Sequence, residues 1–459
     1  MRKIQHFYVC ILQKNNINIH QMHHQIVKRL LYDEMLKWKT SEDRKPLIIT
    51  GVRQCGKTYL MKKFAAENYD DMIYLEFEGD SALSKIFETD LDPKRIISAI
   101  SVKYMKDITK DTLLIFDEIQ TCPRALTSLK YFCENAPEYH IICAGSLLGL
   151  QISGGTSFPV GKVSFLDLRP MSFREFLLAA NPRMHDHVNG LKKEDRIDAG
   201  LMEILQREYR TYCCVGGMPE AVSVWIRTRN MIDTERIQRD ILNSYRLDFL
   251  KHVPENDIKK VNMIWDHLPI QLSKENRRFF FGHAVSGSRS KDLEDAIQWL
   301  VDAGMIYKVS KISRPSIPLS SYASSNIFKL YMADVGLLRI RAGVSADNIM
   351  NGDMEDDFKG GLTENFVLCE LVSAGHRSQY YWGSDNIAEV DFVCSIGGRI
   401  VPIEIKSGKR TRAASLAQYI DKYGPLNAIL ISGENFGEGD IVSRVPLYAV
   451  WKVDEWIEP

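Results

Sequence analysis

The sequence lacks the features that mark several specialised classes of protein. Its nine cysteines include no Cys-x-x-Cys pair and no Cys/His ligand spacing, so neither a zinc site nor a disulfide framework is indicated. No apolar run approaches the roughly 20 residues that a membrane helix needs. The opening MRKIQHFYVCIL has a very short apolar run without a cleavage-like site, which argues against a signal peptide. These absences predict a cytoplasmic protein with no membrane partner.

Net charge is also absent, because 59 Lys and Arg residues balance 59 Asp and Glu residues. There is therefore no global signal for nucleic-acid binding, and any basic surface must be local. The length of 459 residues predicts roughly two to four domains. A good amphipathic helix begins only after Met22, so residues 1–21 are interpreted as a disordered extension or a wrongly assigned start.

The clearest motif lies near the N-terminus. An apolar strand, Leu47 to Thr50, runs into GVRQCGKT, and a helical pattern follows. A P-loop needs this order because its backbone N–H groups wrap phosphate at a helix N-terminus. Lys57 would reach the β- and γ-phosphates, and Thr58 would offer its hydroxyl to Mg²⁺. The motif thus predicts ATP and Mg²⁺ as cofactors, with a glycine-containing turn as the alternative. The predicted nucleotide-binding residues are Gly51, Gln54, Gly56, Lys57, Thr58 and Tyr59.

A second apolar stretch, TLLIFDEIQ, ends in Asp117 and Glu118. In P-loop NTPases an acid at this place holds Mg²⁺, and a neighbouring acid orients the attacking water. Asp117 is therefore predicted to serve the metal and Glu118 to act as the catalytic base. An isolated acid pair would be an ordinary strand end or helix cap, but the P-loop favours catalysis.

A third apolar strand within HIICAGSL closes on Ser146. The P-loop, the strand ending in two acids and this third strand together resemble an AAA-type ATPase. The resemblance implies that Ser146 is a catalytic sensor-1 residue, which reaches toward the γ-phosphate or the attacking water; a helix N-cap is the alternative. The alternation of strands and helices predicts a parallel sheet with nucleotide at the carboxyl ends of its strands.

The motifs GVRQCGKT, DEIQ, AGSLLG, LRPMSFREFL, GGMPEAV and FKLYMADVGLL resemble more closely the bacterial and archaeal AAA-type ATPases that carry a conserved C-terminal domain of undefined function. That resemblance implies ATP hydrolysis, and assembly into a homo-oligomer if an arginine acts in trans. Lys162 stands where related sequences often place an arginine finger; Arg124 and Arg169 are other candidates, and a solvated position is the alternative for each. SFREFLLA and the GGMP turn are interpreted as lid helices and their connection, the turn having a backbone-geometry reason.

The middle region, residues 226–345, reads as mainly helical. SKDLEDAIQWLVDAGMI predicts a helix, and the following IYKVSKIS predicts a short strand, an order that resembles a winged helix. FKLYMADVGLL predicts a strand, a cap at Asp334 and a short helix. The stretch is locally basic, which is consistent with DNA contact or, alternatively, with a domain-packing module. Its basic residues are Arg277, Arg278, Arg289, Lys291, Lys308, Lys311 and Arg314.

Near the C-terminus, AEVDFVCSIGGRIVPIEIK predicts a hairpin with Gly397 and Gly398 at its turn, because a type I′ turn needs φ > 0 at both positions. This register places Asp391 opposite Glu404 and Glu389 opposite Lys406, all on one face. Two facing carboxylates repel each other, and a divalent cation between them would remove the conflict.

TENFVLCELVSA predicts a helix with Thr363 as N-cap and Glu364 in its first turn. The order helix, strand, hairpin, helix, with an acid followed by an ExK strand, resembles the PD-(D/E)xK, restriction-endonuclease-like fold. That resemblance implies Asp391, Glu404 and the helix acid Glu364 as metal ligands, and Lys406 as the catalytic lysine. Glu389 is either an extra ligand or, preferably, an ion-pair partner of Lys406. Three basic residues follow the hairpin, and they would lie either near a phosphate backbone or in a solvated loop: Lys409, Arg410 and Arg412.

The predicted architecture is α/β. An AAA-type parallel-sheet ATPase domain with a helical lid occupies residues 22–225, a helical, winged-helix-like domain occupies 226–345, and a restriction-endonuclease-like α/β domain occupies 346–459. Two functions follow. One is an ATP-controlled, metal-dependent nuclease acting on DNA or RNA. The other is an ATP-driven switch whose C-terminal domain binds nucleic acid or protein without cutting.

Overall fold

The computed structural model describes residues 28–145, 158–279, 290–376, 379–384, 388–408 and 413–457. Its strands are β1 Leu47–Thr50, β2 Asp71–Glu76, β3 Thr112–Asp117, β4 His140–Ala144, β5 Ser164–Asp167, β6 Ile306–Ile312, β7 Ala323–Met332, β8 Gln379–Ser384, β9 Ala388–Ile396, β10 Arg399–Ile405, β11 Ala428–Ser432 and β12 Val442–Pro446.

The α-helices are α1 Leu31–Thr40, α2 Lys57–Asn68, α3 Ser81–Ile86, α4 Pro93–Tyr104, α5 Pro123–Asn135, α6 Phe173–Ala180, α7 Pro182–Gly190, α8 Ala199–Val215, α9 Pro219–Thr228, α10 Met231–His252, α11 Glu255–Leu272, α12 Ser290–Asp302, α13 Val335–Arg341, α14 Ala346–Asn351, α15 Asp356–Ser373 and α16 Ala414–Tyr423. Short 3₁₀ helices cover Ile119–Thr121, Leu319–Tyr322 and Leu447–Trp456. In the part of the chain described, no helix is both long and apolar enough to cross a membrane.

The N-terminal sheet has five strands in the order β2-β3-β4-β1-β5, and every neighbouring pair is parallel. Strand β3, TLLIFD, is buried along its whole length. A parallel strand covered by helices on both faces reads as such a continuous apolar run rather than an alternating one. The predicted parallel sheet is confirmed, and the carboxyl ends of β1 and β3 lead directly into the P-loop and Glu118.

The second sheet has seven strands in the order β12-β11-β10-β9-β8-β6-β7. Strands β6 and β7 come from the region predicted to be winged-helix-like, yet β6 pairs in parallel with β8 of the C-terminal sheet. IYKVSKIS forms the predicted strand, and the winged-helix resemblance of this region stays a prediction. Ile306, Val309 and Ile312 are buried, which favours pairing within the larger sheet over exposure to water.

The β9–β10 hairpin follows the predicted register from Ile396↔Arg399 to Phe392↔Ile403. Gly397 and Gly398 have φ values of +56° and +79°, as the turn requires. On its other side, β9 pairs with β8 through a bulge, where the three-residue step from Val390 to Val393 matches the two-residue step from Trp382 to Tyr380. The β9–β10 pairing ends at Phe392 and Ile403, so the predicted pairs of Asp391 with Glu404 and of Glu389 with Lys406 are not part of that ladder.

Helix α15 begins at Asp356, so the predicted N-cap at Thr363 is wrong. The Thr363 hydroxyl instead donates to the carbonyl of Lys359 at 2.7 Å within the helix. Gly361 lies in the helix because α11 crosses it closely: a Cβ at this position would stand 2.1 Å from the Leu272 carbonyl oxygen. The glycines before Thr363 are thus a packing feature of the helix rather than its boundary.

The GGMP turn joins distant parts of the chain. Gly217 N donates to Asp334 Oδ2 at 2.5 Å, and its carbonyl accepts from Met171 N at 2.6 Å. Gly216 has φ +72°, and a Cβ there would lie 2.4 Å from Asp334 Oδ1. The expectation of a backbone-geometry reason for this turn is confirmed. Asp334 also caps α13 through Leu337 N, as predicted, so one buried carboxylate ties the ATPase lid to the segment that follows β7.

Candidate ATP site and C-terminal acid cluster

The P-loop between β1 and α2 has the backbone that phosphate wrapping requires. Gly51, Gln54 and Gly56 all have positive φ, at +137°, +64° and +92°. A Cβ at Gly51 would lie 1.9 Å from the Leu168 carbonyl oxygen, so only glycine fits there. Gln54 is exposed, whereas Tyr59 is half-buried on the first turn of α2, where burial raises the pKa of its phenol.

Lys57 folds back over this loop. Its ammonium donates to the carbonyl oxygens of Gly51 at 2.7 Å and Val52 at 2.9 Å, and the residue is buried. These partners are neutral backbone groups rather than carboxylates. The loop therefore keeps a full positive charge at the place where its N–H groups would wrap a phosphate.

Asp117 and Thr58 lie together at the end of β3. The Thr58 hydroxyl donates to Asp117 Oδ2 at 2.6 Å, and the Tyr74 hydroxyl donates to the same oxygen at 2.8 Å. A hydroxyl beside a carboxylate is the oxygen donor pair that a hard cation such as Mg²⁺ prefers, so these residues fit the metal. Tyr74 was missed from the sequence; burial first, and then the Asp117 charge, raises the pKa of its phenol.

Glu118, the predicted base, has φ +48°, a left-handed backbone that turns its side chain away from the strand direction. The Gln120 amide donates to Glu118 Oε2. Sequence reasoning did not identify this contact, although Gln120 belongs to the DEIQ motif. Ser146, the predicted sensor-1 residue, lies outside the described residues.

The P-loop also contacts the middle region. The Arg53 guanidinium forms an ion pair with Asp248 and lies 3.2 Å from His252 Nε2 of α10. The Tyr245 hydroxyl, from the same helix, donates to the Arg53 carbonyl at 3.1 Å. A Cβ on Gly304, just before β6, would lie 3.5 Å from Val52 N. The loop is therefore enclosed by elements that lead onward to the second sheet.

The three arginine-finger candidates have different environments. Lys162 is half-buried and pairs with Glu134 at 2.9 Å. Arg124 donates to the Phe87 carbonyl at 2.6 Å. The Arg169 guanidinium, in contrast, is held at 2.6 Å from Asp167 and donates to the Tyr307 hydroxyl of β6, which makes it an interface residue. A role in trans stays a prediction for each.

The C-terminal domain brings the predicted acids together around the bulge. Asp391 Oδ2 accepts a hydrogen bond from Ile405 N at 2.8 Å, which takes the place of a ladder bond. Burial, followed by the charges of Glu364 and Glu404, raises the pKa of Asp391 well above its ordinary range. The Lys406 ammonium lies 2.7 Å from Glu404 Oε1. Glu364, Asp391, Glu404 and Lys406 thus form one acid cluster, although Glu364 comes from the middle of α15 and not from its first turn.

Two further cations enter this cluster from outside the predicted nuclease-like domain. Arg277 Nη1 lies 2.6 Å from Glu364 Oε1, and the fully buried Lys329 Nζ of β7 lies 3.5 Å from Glu364 Oε2. The Tyr331 hydroxyl donates to the same Oε2 at 2.9 Å. Burial alone would raise the pKa of Glu364, but Lys329 and Arg277 outweigh it and lower that pKa. Sequence reasoning missed Lys329 because it treated the β7 motif as purely structural.

Glu389 does not pair with Lys406, so the preferred prediction for it is wrong. Its Oε1 lies 2.7 Å from Lys329 Nζ, and its Oε2 lies 3.5 Å from Arg278 Nη2. The β9–β10 ladder ends at Phe392, and the bulge of β9 lies between Val390 and Val393 in its pairing with β8, so the predicted register does not extend to Glu389. Burial lowers the pKa of Lys329, but Glu364 and its other carboxylate neighbours outweigh burial and raise it well above the ordinary value.

As arranged, the acid cluster does not fit a metal ion. Over the described ranges, no group of three or more His, Cys, Asp or Glu side chains is placed to bind one. Glu364, Glu389 and Glu404 are each bound by cationic side chains. One feature points the other way: Glu404 Oε2 is buried without a hydrogen-bond partner among the described residues. The metal-ligand assignments of Asp391, Glu404 and Glu364 stay predictions.

Much of the predicted basic stretch serves packing. Arg277 and Arg278 point into the acid cluster, Lys308 stacks over the Phe328 ring at 4.4 Å, and Arg314 donates to the Tyr322 hydroxyl. These contacts favour the packing alternative over a DNA-binding face for those four residues. The side chain of Lys291 and the residues Arg289, Lys409, Arg410 and Arg412 lie outside the described part.

Comparisons with protein families divide the chain in three. A model of an AAA domain matches residues 43–177. Models of two domains of unknown function, DUF8612 and DUF4143, match residues 206–348 and 359–450. No curated protein matches the sequence.

Similar solved structures include the Walker-type ATPase PABY2304 of Pyrococcus abyssi, at 14% identity and a TM-score of 0.44, covering 69% of this chain and 95% of that one. The Orc1 protein of Aeropyrum pernix, solved in complex with DNA, shares 12% identity at a TM-score of 0.27, over 73% of this chain and 93% of that one. RuvB of Thermotoga maritima shares 15% identity at a TM-score of 0.28, over 61% and 89%.

The family match and the P-loop geometry agree. The chain contains an AAA-type P-loop ATPase domain, built on the parallel sheet and carrying the nucleotide-binding motif at its edge. The descriptions of the two C-terminal matches give no function, so the nuclease-like reading of that region stays a prediction.

Proposed function

We propose that the protein is a Mg²⁺-dependent ATPase that works as a switch: the nucleotide state of its P-loop sets the state of the C-terminal domain, which binds nucleic acid without cutting it. The observation that carries the proposal is the route from the P-loop to the acid cluster. Asp334, tied to Gly217 of the lid, stands two residues after β7, and β7 carries Lys329 into that cluster.

At the ATP site, Lys57 would bind the β- and γ-phosphates, and Thr58 with Asp117 would hold Mg²⁺. The metal, when bound with ATP, neutralises charge that develops on the transferred phosphoryl group. Glu118 would accept a proton from the attacking water. Its carboxylate must first leave Gln120, so the Gln120 contact describes a resting arrangement of the base.

Two contacts would transmit the nucleotide state. The ring of Pro219, which starts α9, lies 3.6 Å from the Cβ position of Gly56, so a change at the P-loop reaches the GGMP turn directly. Val52 faces Gly304 at the entry to β6, which pairs with β7. Both routes end on the strand of Lys329. A ligand that binds more tightly to one arrangement of this strand would shift the equilibrium between arrangements.

The ATPase part is tested with two variants. Lys57→Ala should abolish ATP binding, because the loop loses its one lysine charge. Glu118→Gln should bind ATP and retain it unhydrolysed, because an amide cannot accept the proton. Equilibrium binding of a fluorescent ATP analogue and phosphate release measure the two effects. Normal hydrolysis by Lys57→Ala would show that the site is assigned wrongly.

The switch is tested by hydrogen exchange. The peptide covering β7 should exchange its amides at different rates in Glu118→Gln loaded with ATP and in the wild type loaded with ADP. Identical exchange in the two states would contradict coupling. We also propose that the protein forms a homo-oligomer, because an arginine finger that acts in trans needs a neighbouring subunit. Measurement of the molecular mass in solution with each nucleotide tests this proposal.

A second candidate is a metal-dependent nuclease acting on DNA or RNA. The observation that favours it is the unpartnered, buried Glu404 Oε2 beside Asp391 and Lys406. The purified protein would be incubated with plasmid, single strands and RNA, with Mg²⁺ or Mn²⁺, and with or without ATP. Cleavage that Asp391→Ala and Lys406→Ala abolish supports the nuclease and rejects the non-cutting switch. Intact substrates under every condition reject the nuclease.

A further inference from the structure

A cavity of about 290 Å³ lies at one edge of the seven-stranded sheet. Strands β10, β11 and β12 are parallel, and residues within the first three after each strand line the cavity. Those residues are Ser407 and Gly408 after β10, Gly433 after β11 and Leu447 after β12. In α/β sheets, ligands bind in the crevice outside the carboxyl ends of parallel strands. The topology therefore identifies this edge as a place for a ligand.

The charged side chains that line the cavity are all cationic. Arg210 of α8 and Lys359 of α15 line the cavity, and no Asp or Glu is among the lining residues. Within the part of the chain that the structure describes, neither cation forms an ion pair. Hydroxyl groups and aromatic rings supply the remaining polar and flat surface. They belong to Tyr209, Thr363, Ser407 and Tyr448. Such a lining is suited to an anion that also carries an apolar or flat part.

Two glycines leave room for a close approach. Among the described residues, a Cβ built on Gly408 or on Gly433 would meet no atom within 4 Å, so there is open space beside each backbone. Neither glycine has positive φ. The absence of a side chain is thus not needed for the local fold, and it exposes backbone to an incoming group, as glycines in phosphate-binding loops do.

A second cavity of about 660 Å³ continues along α8 and shares Gln206, Arg210 and Gly433 with the first. Its lining adds Arg207 but also Glu203 and Glu434, so its charge is mixed. The purely cationic end of this elongated groove is the cavity at the strand ends. A chain-like ligand would place its most concentrated negative charge there.

We propose that the cavity at the ends of β10, β11 and β12 binds the terminal phosphate of a nucleotide, either a free mononucleotide or the 5′-phosphorylated end of a nucleic-acid strand that lies along α8. The proposal rests on the proposed binding of nucleic acid and names its site and chemistry. Lys359 and Arg210 bind the phosphate, and the backbone at Gly433 allows its approach.

The position of the cavity connects it with both functional regions. Helix α8 ends at Val215, immediately before the GGMP turn that contacts the P-loop and Asp334. Ser407 follows Lys406 of the acid cluster. A nucleotide held here touches the lid and the C-terminal sheet at once. Binding of this ligand and binding of ATP should therefore influence each other reciprocally.

The test uses the full-length protein with its P-loop saturated with ADP. Fluorescence anisotropy measures the affinity for a labelled single-stranded oligonucleotide that carries either a 5′-phosphate or a 5′-hydroxyl. The strand with a 5′-phosphate should bind about tenfold more tightly, because the strand with a 5′-hydroxyl lacks the phosphate that accepts a charge-assisted hydrogen bond. Lys359→Gln should remove that preference, and Gly433→Leu should weaken both strands by filling the cavity. Arg236→Gln, at an exposed arginine on α10, is the matched control and should change nothing.

AMP as a competitor separates the two sources of phosphate. Competition by AMP supports the cavity and shows that a free nucleotide suffices; a preference for the phosphorylated strand without competition supports the strand end. Equal affinity for both strands, unchanged in Lys359→Gln and in a folded Gly433→Leu, overturns the cavity and leaves the proposed switch in place. Absence of binding to any probe overturns both the cavity and the nucleic-acid part of the proposed function.

Discussion

The ATP site and the acid cluster both contain carboxylates and a lysine, but these charged groups have different kinds of hydrogen-bond partner in the two sites. At the ATP site, Lys57 is bound by backbone carbonyls, and Asp117 is bound by the hydroxyls of Thr58 and Tyr74. In the acid cluster, Glu364 and Glu389 are bound by the charged side chains of Arg277, Arg278 and Lys329 (a set that comes from another part of the chain).

The kind of hydrogen-bond partner determines how each site responds to a ligand. Neutral hydroxyl and carbonyl partners can be exchanged for a metal ion or a phosphate without leaving a bare charge behind. Cationic partners cannot, because removing one of them leaves a buried carboxylate uncompensated. The ATP site is thus arranged to take up and release a ligand, whereas the acid cluster already contains its counter-charges.

The largest expected effect comes from removing the central counter-charge. Lys329→Met should lower the free energy of unfolding by about 3 to 5 kcal/mol, because Glu364 and Glu389 lose a buried partner. Urea denaturation at neutral pH measures it. In the variant, excess Mn²⁺ should restore part of the loss, since a divalent cation can then replace the ammonium; it should leave the wild type unchanged.

Lys311→Met, at a half-buried lysine of the neighbouring strand β6, is the matched control and should cost less than about 1 kcal/mol. If Lys329→Met were as stable as the wild type, the acid cluster would not depend on its cationic partners, and the proposed difference from the ATP site would be wrong. Stabilisation of the wild type by Mn²⁺ that Asp391→Asn abolishes would show that the acid cluster takes a metal after all.

The P-loop backbone and the contact of Thr58 with Asp117 could be predicted from the sequence, since these residues lie within two short motifs. Their catalytic roles, and that of Ser146, stay predictions. The hairpin register near the Gly-Gly turn could also be predicted, because the turn determines it. Tyr74 escaped prediction since its contact with Asp117 depends on the pairing of β2 with β3.

The acid cluster could be predicted only in part. Asp391, Glu404 and Lys406 were found because they lie on one hairpin, and Glu364 because the family resemblance includes a helix acid. The sequence does not show that the β9–β10 ladder ends at Phe392 and Ile403, so the ladder was extended too far. Lys329 was missed because its role depends on β7 joining a sheet whose other end is more than a hundred residues away in the chain.

A third kind of buried carboxylate sharpens the comparison. Among the residues that the structure describes, Glu370 of α15 has neither a cationic partner nor a hydroxyl partner, and its Oε1 accepts a hydrogen bond from Phe173 N at 2.6 Å. Burial raises the pKa of Glu370 to about 8. Because the pKa is higher in the folded state than in the unfolded one, stability should fall as pH rises from about 4.5 through about 8.

Glu370→Gln keeps the acceptor for Phe173 N and cannot ionise, so it should flatten this part of the pH dependence. The variant should be more stable than the wild type at pH values above the Glu370 pKa and similar to it well below. Urea midpoints measured across the range give the comparison. If the pH dependence of stability were the same in Glu370→Gln and in the wild type, Glu370 would be ionised in the folded protein. Buried charged carboxylates would then occur outside the acid cluster as well.

The smallest expected effect concerns the base at the ATP site. Gln120→Ala removes the amide that holds Glu118, so the carboxylate reaches the attacking water more often. The turnover number should rise about fivefold, which corresponds to the roughly 1 kcal/mol of one hydrogen bond. Phosphate release under saturating ATP measures it, and Arg236→Gln, at the exposed arginine of α10, is the control and should leave the turnover number unchanged. A turnover number that falls to the level of Glu118→Gln would show that Gln120 orients the base instead of restraining it, and the ATP site would then be preorganised for catalysis rather than held at rest.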